Sequence, residues 1–244
     1  MRLEEKLKEK YLYKKGYNIF KLVYFLSQYF KSKINSNKPN SRWGIDLILN
    51  DIFKNNKKGF YIDIGCHHPF INNHTYLFYR RNWSGINIDL DFNSIDMFNF
   101  FRPKDLNIQS ALSNEVKDTD LYFYHNRAAK NTISKEFGQD ALTVKKIKTN
   151  TLNNILQDEN LNDQKIDFLS IDVEGNELNV LRGFDLKRFK PKVILLEYIQ
   201  HNVKEFYEKD INTIMSSEIY KFMIENDYKL INWNHDDLLF MLLD

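Results

Sequence analysis

The sequence of 244 residues predicts an α/β fold, in which helices cover both faces of a doubly wound, mostly parallel sheet of seven strands. Three observations support this prediction. Apolar runs of about five residues alternate with segments of helical periodicity, as is typical of parallel strands joined by helices. Two such runs, 60–64 and 85–89, carry a carboxylate at or near their carboxyl end. The last two, 228–231 and 238–242, flank a short turn and predict an antiparallel pair at one edge of the sheet.

Residues 1–40 are predicted to form a helical extension and a linker, and residues 41–244 the main domain. Apolar residues recur at helical spacing over 1–31, with Gly16 as a possible break, and a polar tract follows over 32–40. The aromatic face of this extension could pack on the domain, on a second copy of the chain or on a membrane surface. We expect it to pack on protein, and a homodimer through these helices is one form of such packing.

The elements of the main domain follow from its periodicity, beginning with a helix over 41–53. The strands of the central sheet are expected at 60–64, 85–89, 108–112, 167–171, 193–197, 228–231 and 238–242. Helices are expected between them at 75–82, 94–101, 152–156, 177–181 and 214–226. Two further strands, 121–124 and 144–147, are expected around a polar loop over 126–140.

Composition and charge exclude several classes of protein. The formal net charge of +2 argues against a nucleic-acid partner, and we interpret the lysine-rich run 145–148 as the exposed edge of a strand. The single cysteine, Cys66, excludes an internal disulfide and fits a reducing compartment. The apolar run 17–30 is too short and too often interrupted to predict a transmembrane segment, and no secretory signal is visible. We therefore expect a cytoplasmic protein.

The turn after the first predicted strand has the layout of a nucleotide site. Asp63 and Gly65 lie at this turn, and Asp89 ends the second strand, where a carboxylate can accept both hydroxyls of a ribose. The turn lacks the further glycines with which a dinucleotide fold accommodates a pyrophosphate. An acid at position 63 also suits a ligand that carries an ammonium group. The pattern favours S-adenosylmethionine, with an NAD-type site or an empty nucleotide fold as alternatives.

Two residues of this turn carry reactive side chains. We interpret Cys66 as a small residue that fills the turn, because no base is placed to activate it as a nucleophile. His67 is predicted to hydrogen-bond the cofactor carboxylate or the acceptor, or to accept a proton from a hydroxyl. The spacing of the nearby histidines is not that of a zinc motif.

Further acids are expected at the same rim, because ligands of an open α/β sheet bind outside the carboxyl ends of its strands. Asp172 and Glu174 follow the fourth strand, while Glu197 and His201 lie at and beyond the end of the fifth. Together with His67 they are the candidate catalytic residues. Alternatively, Asp172 caps the next helix and Glu174 lies in its first turn. Asp172, Glu197 and His201 could also hold Mg²⁺ or Mn²⁺.

The most specific segment of the sequence is 167–177, which reads Asp-Phe-Leu-Ser-Ile-Asp-Val-Glu-Gly-Asn-Glu. Other distinctive segments lie at 41–46, 61–65, 73–76, 82–89 and 180–184. Together, over roughly 41–200, these segments resemble the FkbM family of S-adenosylmethionine-dependent methyltransferases. The opening helix departs from the family pattern, because Arg42 replaces the usual glutamine and Ile45 stands where an acid is common.

The resemblance implies a Rossmann-like fold of the class I methyltransferase type and O-methylation, often of sugars, polyketides or other hydroxylated natural products. By position it implies that Asp63 and Gly65 belong to the cofactor turn, that Asp89 binds the ribose and that Ser110 and Ala111 line the adenine. The full set of predicted cofactor-binding residues is Asp63, Gly65, Cys66, His67, Thr75, Asp89, Ser110, Ala111 and Asp172.

We therefore expect an O-methyltransferase that acts on a sugar hydroxyl, the acceptor being a nucleotide-linked sugar for a surface or capsular polysaccharide. Another small molecule or a lipid-linked glycan is the alternative acceptor. Two other classes stay open, an NAD-dependent oxidoreductase and a non-catalytic module that binds a partner through its amino-terminal helix. The missing dinucleotide glycines argue against the oxidoreductase.

Overall fold

The computed structural model describes residues 18–34, 40–41, 43–125, 128–199 and 208–243. The strands are β1 (Phe60–Ile64), β2 (Ser84–Asp89), β3 (Leu106–Gln109), β4 (Ala111–Leu112), β5 (Asp118–Phe123), β6 (Thr143–Asn150), β7 (Phe168–Ile171), β8 (Val193–Glu197), β9 (Tyr228–Asn234) and β10 (Asp237–Leu242). The helices are α1 (Asn18–Ile34), α2 (Ile45–Ile52), α3 (Tyr76–Arg80), α4 (Phe92–Phe101), α5 (Leu152–Asp158), α6 (Glu177–Arg182), α7 (Leu186–Phe189), α8 (Ile211–Ser216) and α9 (Glu218–Glu225).

Seven strands form the central sheet in the order β3-β2-β1-β7-β8-β10-β9. The pairs from β3 to β8 are parallel, whereas β10 is antiparallel to both of its neighbours. All four residues of β7 are buried, as expected for a parallel strand with both of its faces covered. These features confirm the predicted Rossmann-like α/β fold, including its antiparallel edge pair and the amino-terminal helix.

The amino-terminal helix α1 packs on α4 of the main domain. Tyr24 and Phe25 are buried against Met97, with Phe101 beside them, and the Phe25 and Phe101 rings lie 5.8 Å apart. At one end of this contact Lys21 Nζ lies 2.6 Å from Asp96 Oδ1. One face of the helix therefore packs on protein, whereas a homodimer stays a prediction. No described helix has both the length and the apolar character needed to cross a membrane.

The third predicted strand, 108–112, is divided between two sheets. Ser110 N donates to Asp89 O (2.9 Å), directly beyond the last paired residues of β2 and β3. The chain then leaves the central sheet, and β4 pairs in parallel with the end of β6. With β5 these strands form a separate sheet in the order β4-β6-β5. This crossing places Ser110 between the two sheets, beside the carboxyl end of β2.

The helix predicted over 214–226 is interrupted, because the backbone of Ser217 is extended (φ −66°, ψ 151°). The Ser217 hydroxyl accepts a hydrogen bond from Tyr220 N and so caps a new helix, α9. A serine side chain can bind backbone N–H groups in place of the helical hydrogen bonds, which makes serine unfavourable inside a helix and favourable at its N-cap. The single helix predicted here is therefore two, α8 and α9.

Candidate active site

A cleft lies at the carboxyl ends of β1, β2, β7 and β8, where an open α/β sheet is expected to bind its ligand. Most of the predicted site residues line it: Asp63, Gly65, Cys66, His67, Asp89, Ser110, Ala111, Asp172, Glu174 and Glu197. Two do not fit this description. Thr75 is not part of the lining, and His201 lies outside the described residues.

Gly65 brings two of the predicted residues together. Its φ of +78° is left-handed, and a Cβ at this position would lie 1.6 Å from the backbone O of Asp172. The pairing of β1 with β7 continues into this contact, since Asp172 N donates to Ile64 O (2.9 Å), and Gly65 N donates to Ile88 O of β2 (2.8 Å) on the other side. Only glycine fits such a close approach. The turn after β1 is thus held directly against the residue that follows β7.

Asp63 is oriented by a buried hydrogen-bond network. Its Oδ2 accepts from Thr75 Oγ1 (2.8 Å) and from Asn73 Nδ2 (3.0 Å). Thr75 is fully buried, and its hydroxyl also accepts from Arg102 Nη1 and Nη2, at 3.0 Å each. Thr75 was predicted to bind the cofactor, but the structure places it behind Asp63, where it positions that carboxylate.

Arg102 is the centre of this network, although nothing in the local sequence marks it as a site residue. It is fully buried, and its Nε donates to Asp105 Oδ2 (2.8 Å) while Nη2 donates to the Tyr61 hydroxyl (2.7 Å). The Phe98 ring lies against the guanidinium, with its centroid 5.0 Å from Cζ. Arg102 therefore supplies the positive charge that accompanies Asp63 and Asp105 into the core.

Asp89 ends β2 with both carboxylate oxygens fixed by backbone donors. Oδ2 accepts from His67 N (2.8 Å) and Oδ1 from Asp91 N (2.7 Å). The backbone of His67 is left-handed (φ 48°), which turns its N–H toward Asp89. A carboxylate has further lone pairs, so Asp89 can still accept two ribose hydroxyls. Ribose binding by Asp89 stays a prediction.

Cys66 lies in the same turn and lines the cleft, but its side chain is buried. Burial, followed by the charges of Asp89 and Asp63, raises the pKa of the thiol well above its usual value. A thiol held in its neutral form is a poor nucleophile. The side chain of Cys66 is therefore unsuited to act as a nucleophile, and its predicted space-filling role stays a prediction.

A segment of the predicted polar loop closes one side of the cleft, next to Ser110 and Ala111. Its lining residues are Ala128, Ala129, Asn131 and Ile133. Thr132 fixes the segment, because its hydroxyl donates to Glu174 O (2.7 Å). The loop is thereby joined to the chain that follows β7.

The segment 172–176 is shaped by Glu177, the last acid of the motif recognised in the sequence. Glu177 Oε1 accepts from Val173 N (3.0 Å) and from Gly175 N (3.1 Å). Burial raises the pKa of Glu177 to about 7, although these two donors act in the opposite direction. Glu174 has a left-handed backbone (φ 57°) and precedes α6. Asp172 therefore does not cap α6, and Glu174 does not lie in its first turn. The two structural alternatives predicted for these residues are wrong.

Three carboxylates converge in the cleft. One oxygen from each of Asp172, Glu174 and Glu197 lies within 4.8 Å of the other two. Burial raises the pKa of Asp172 to about 6, with Asp237 adding to this effect and a positive charge on His74 opposing it. Burial, followed by the charge of Asp172, also raises the pKa of Glu197. The two carboxyl groups are therefore coupled, and their mutual repulsion disfavours ionisation of both at once.

The far wall of the cleft comes from segments outside the cofactor turn. Asp237 stands opposite Glu197 in the β8–β10 ladder, and both line the cleft. Trp43 lines it as well and stacks on His235, with the two ring centroids 3.8 Å apart and an interplanar angle of 6°. Asn234 Nδ2 donates to Trp43 O (2.9 Å) and so joins the β9–β10 turn to the segment before α2.

His74 also lines the cleft. Its Nδ1 is buried and has no hydrogen-bond partner among the described residues. Glu197 Oε2 is also buried and also has no hydrogen-bond partner among the described residues. Two buried polar atoms that lack partners within the described protein are suited to bind a ligand that enters the cleft.

The sheet, the glycine turn and the carboxylate at the end of β2 together define a Rossmann-like methyltransferase. A family model of the methyltransferase FkbM domain matches residues 63–230, and the chain belongs to this family. No curated protein matches the chain in a sequence comparison. Membership confirms the predicted family and implies S-adenosylmethionine as the methyl donor in general terms.

The residues of the cleft fit such a cofactor. Asp89 offers acceptor oxygens for a ribose, while Ser110 and Ala111 lie beside it on the lining. Asp63 adds negative charge on the other side of the turn, where a ligand with an ammonium group would be stabilised. The acid pair Asp172 and Glu197 also lines the cleft, and the backbone of Asp172 lies against the turn.

Proposed function

We propose that the protein is an S-adenosylmethionine-dependent O-methyltransferase that acts on a sugar hydroxyl. The observation that carries this proposal is the position of the Asp172–Glu197 pair beside the turn after β1. Asp172 belongs to the pair, and its backbone carbonyl lies against Gly65 of that turn. The cofactor supplies an electrophilic methyl group when it is bound. The chain's own contribution is to orient the acceptor, exclude water and remove the hydroxyl proton.

The acid pair provides the base. Because burial and mutual repulsion raise the pKa values of Asp172 and Glu197, the pair can accept a proton near neutral pH more readily than an exposed carboxylate can. Asp172, whose pKa is raised less than that of Glu197, is the member that ionises first and takes the proton of the hydroxyl. A positive charge on His74 would lower the pKa of Asp172 and so stabilise the ionised form.

The sugar is supported by the chemistry of the far wall. Glu174, Glu197 and Asp237 present carboxylates that can accept hydrogen bonds from several hydroxyls. Trp43 offers an aromatic surface on the same wall. Carboxylates and an aromatic ring suit a ligand rich in hydroxyl groups and C–H bonds.

A nucleotide-linked acceptor and a role in surface polysaccharide synthesis rest on the family resemblance alone. Among the described residues that line the cleft, none is lysine or arginine. The hydroxyl groups of a sugar suit this acidic wall. A diphosphate would be repelled by it and would have to bind outside the described part of the cleft. A glycan without a phosphate near its methylated hydroxyl, including the distal end of a lipid-linked glycan, is equally compatible.

A divalent cation is the alternative way to relieve repulsion in the cleft. Asp172, Glu174 and Glu197 would be its oxygen ligands among the described residues, and Mg²⁺ or Mn²⁺ prefers such donors. If the acid pair works as a base without a metal, EDTA should leave methyl transfer unchanged. Loss of turnover in EDTA, restored by Mg²⁺ or Mn²⁺, would favour the metal instead.

Calorimetric titration with S-adenosylmethionine, S-adenosylhomocysteine and NAD tests the cofactor part of the proposal. We expect the first two to bind and NAD not to bind. Asp89→Ala should weaken binding by about 1.5–3 kcal/mol, since a charged acceptor for the ribose hydroxyls is lost. Asp118→Ala, an exposed acid in β5, is the matched control and should bind as the wild type does.

Binding of NAD, without binding of S-adenosylmethionine or S-adenosylhomocysteine, would overturn the cofactor assignment. Binding of S-adenosylmethionine without methyl transfer to any hydroxylated acceptor would support the non-catalytic alternative. Transfer to simple glycans and to nucleotide sugars, measured with labelled cofactor, then distinguishes the two acceptor classes.

A further inference from the structure

The helix α1 has apolar residues on two opposite faces. One face packs on α4 through Tyr24 and Phe25. The other face is formed by Ile19, Leu22, Val23, Leu26 and Phe30, which are between 40% and 76% exposed. We call these five residues the outer stripe.

The spacing of the outer stripe places its members on one side of the helix, because residues three, four, seven and eleven positions apart share a helical face. Isolated exposed apolar residues are ordinary on a protein surface, but a continuous stripe marks a surface that binds a partner. The helix has 17 residues, and none of the described helices can cross a membrane. We therefore expect a partner to contact the outer stripe along the length of α1.

The charge of the surrounding sequence indicates which partner this is. Every charged residue between Glu9 and Asp46 is basic. They are Lys10, Lys14, Lys15, Lys21, Lys31, Lys33, Lys38 and Arg42. The whole chain has a net charge of only +2, so the rest of it is acidic on balance. The segment of the sequence that contains α1 thus carries an excess of positive charge.

We propose that α1 binds to the surface of a bilayer that contains anionic lipid, with the outer stripe buried at the boundary between headgroups and acyl chains. An apolar face combined with basic residues and no acids is the composition of helices that lie in this interface. Basic residues near the surface are attracted by anionic headgroups, and each adds to binding. The helix lies on the membrane and stays packed on α4 through its opposite face.

A second copy of the chain fits the outer stripe less well. Pairing of two stripes would bring two basic segments together, and like charges repel. An anionic bilayer offers the complementary charge together with an apolar layer. The two occupants differ in their dependence on lipid composition and on salt, which makes them separable by experiment.

Vesicle sedimentation of the full-length protein tests this proposal. We expect the protein to sediment with vesicles of equal parts phosphatidylcholine and phosphatidylglycerol, and to bind vesicles of phosphatidylcholine alone at least about tenfold more weakly. Raising the salt concentration should reduce the binding, since it screens the attraction. Leu22→Glu/Leu26→Glu, which places acids in the outer stripe, should weaken binding at least about tenfold.

Leu142→Glu/Val144→Glu is the matched control, because it also places two acids at exposed apolar positions, at 76% and 56%, around the start of β6 and far from α1 in the sequence. The single variant Leu142→Glu adds a further comparison. Both should bind vesicles as the wild type does, and circular dichroism should show all variants folded. The proposal is overturned if the wild type does not sediment with the anionic vesicles, or if Leu142→Glu/Val144→Glu loses as much binding as the stripe variant. Light scattering that shows a wild-type dimer and a monomeric stripe variant, with equal vesicle binding, would identify the stripe as a dimer interface instead.

Discussion

Asp172→Asn is expected to lower kcat by about a hundredfold to ten-thousandfold, the usual range for loss of a general base. The substitution keeps the shape of the side chain but removes the carboxylate that accepts the proton, whereas Glu197→Gln keeps that carboxylate beside a neutral partner and should lower kcat less. Affinity for S-adenosylmethionine should change by less than about threefold, because the backbone contact between Asp172 and Gly65 is retained. Single-turnover methyl transfer and calorimetric binding measure the two quantities separately.

The pH dependence of the wild type provides an independent check. The pKa of Asp172 is raised to about 6, and the base must be ionised to work. The rate should therefore fall as the pH is lowered through this value, and it should rise toward a plateau above it. Glu218→Gln, an exposed acid at the start of α9, should leave both the rate and this profile unchanged. Full activity in both Glu197→Gln and Asp172→Asn would place the base elsewhere in the cleft.

Arg102→Met is expected to destabilise the protein by about 3–5 kcal/mol, as is typical when one partner of a buried ion pair is removed. Methionine fills much of the space, but Asp105 loses its 2.8 Å partner and Thr75 loses two donors. The midpoint of thermal unfolding should fall by on the order of 10 °C for a domain of this size. Chemical denaturation gives the free energy directly.

Arg182→Met is the control for this substitution. Arg182 pairs with Glu218 at 3.2 Å, but both side chains are largely exposed, so the change should stay within about 0.5 kcal/mol. If Arg102→Met unfolds no more easily than Arg182→Met, then the network behind Asp63 does not contribute to stability. Reduced cofactor affinity in Arg102→Met at a temperature where it is folded would show that the network also positions Asp63.

The carboxylates of the cleft could be predicted from sequence because their positions depend on local patterns. Asp63, Asp89 and Glu197 each lie at or next to the carboxyl end of an apolar strand, and parallel strands bring those ends to one edge. Asp172 directly follows the predicted strand 167–171, and the family motif marked it as well. Their proximity follows from topology alone, so no knowledge of side-chain packing was needed.

Residues that act across the fold could not be predicted in this way. Arg102 reads as the last turn of a helix, yet it contacts Tyr61 and Thr75, which are 41 and 27 positions away. His235 reads as a surface residue, but it stacks on Trp43. Such contacts depend on how distant segments meet, which periodicity does not encode. The division of strand 108–112 between two sheets escaped prediction because either sheet can pair an apolar run.

The two halves of the cleft are built with different tolerance for change. On the side of the turn after β1, the cleft is confined by the close approach of Gly65 to the Asp172 carbonyl, which leaves no room for a side chain at position 65. The other side is lined by Trp43, ahead of β1, and by Asp236 and Asp237 in the terminal hairpin. Under the proposed function, substitutions in these segments would change the acceptor while the turn after β1 keeps its shape.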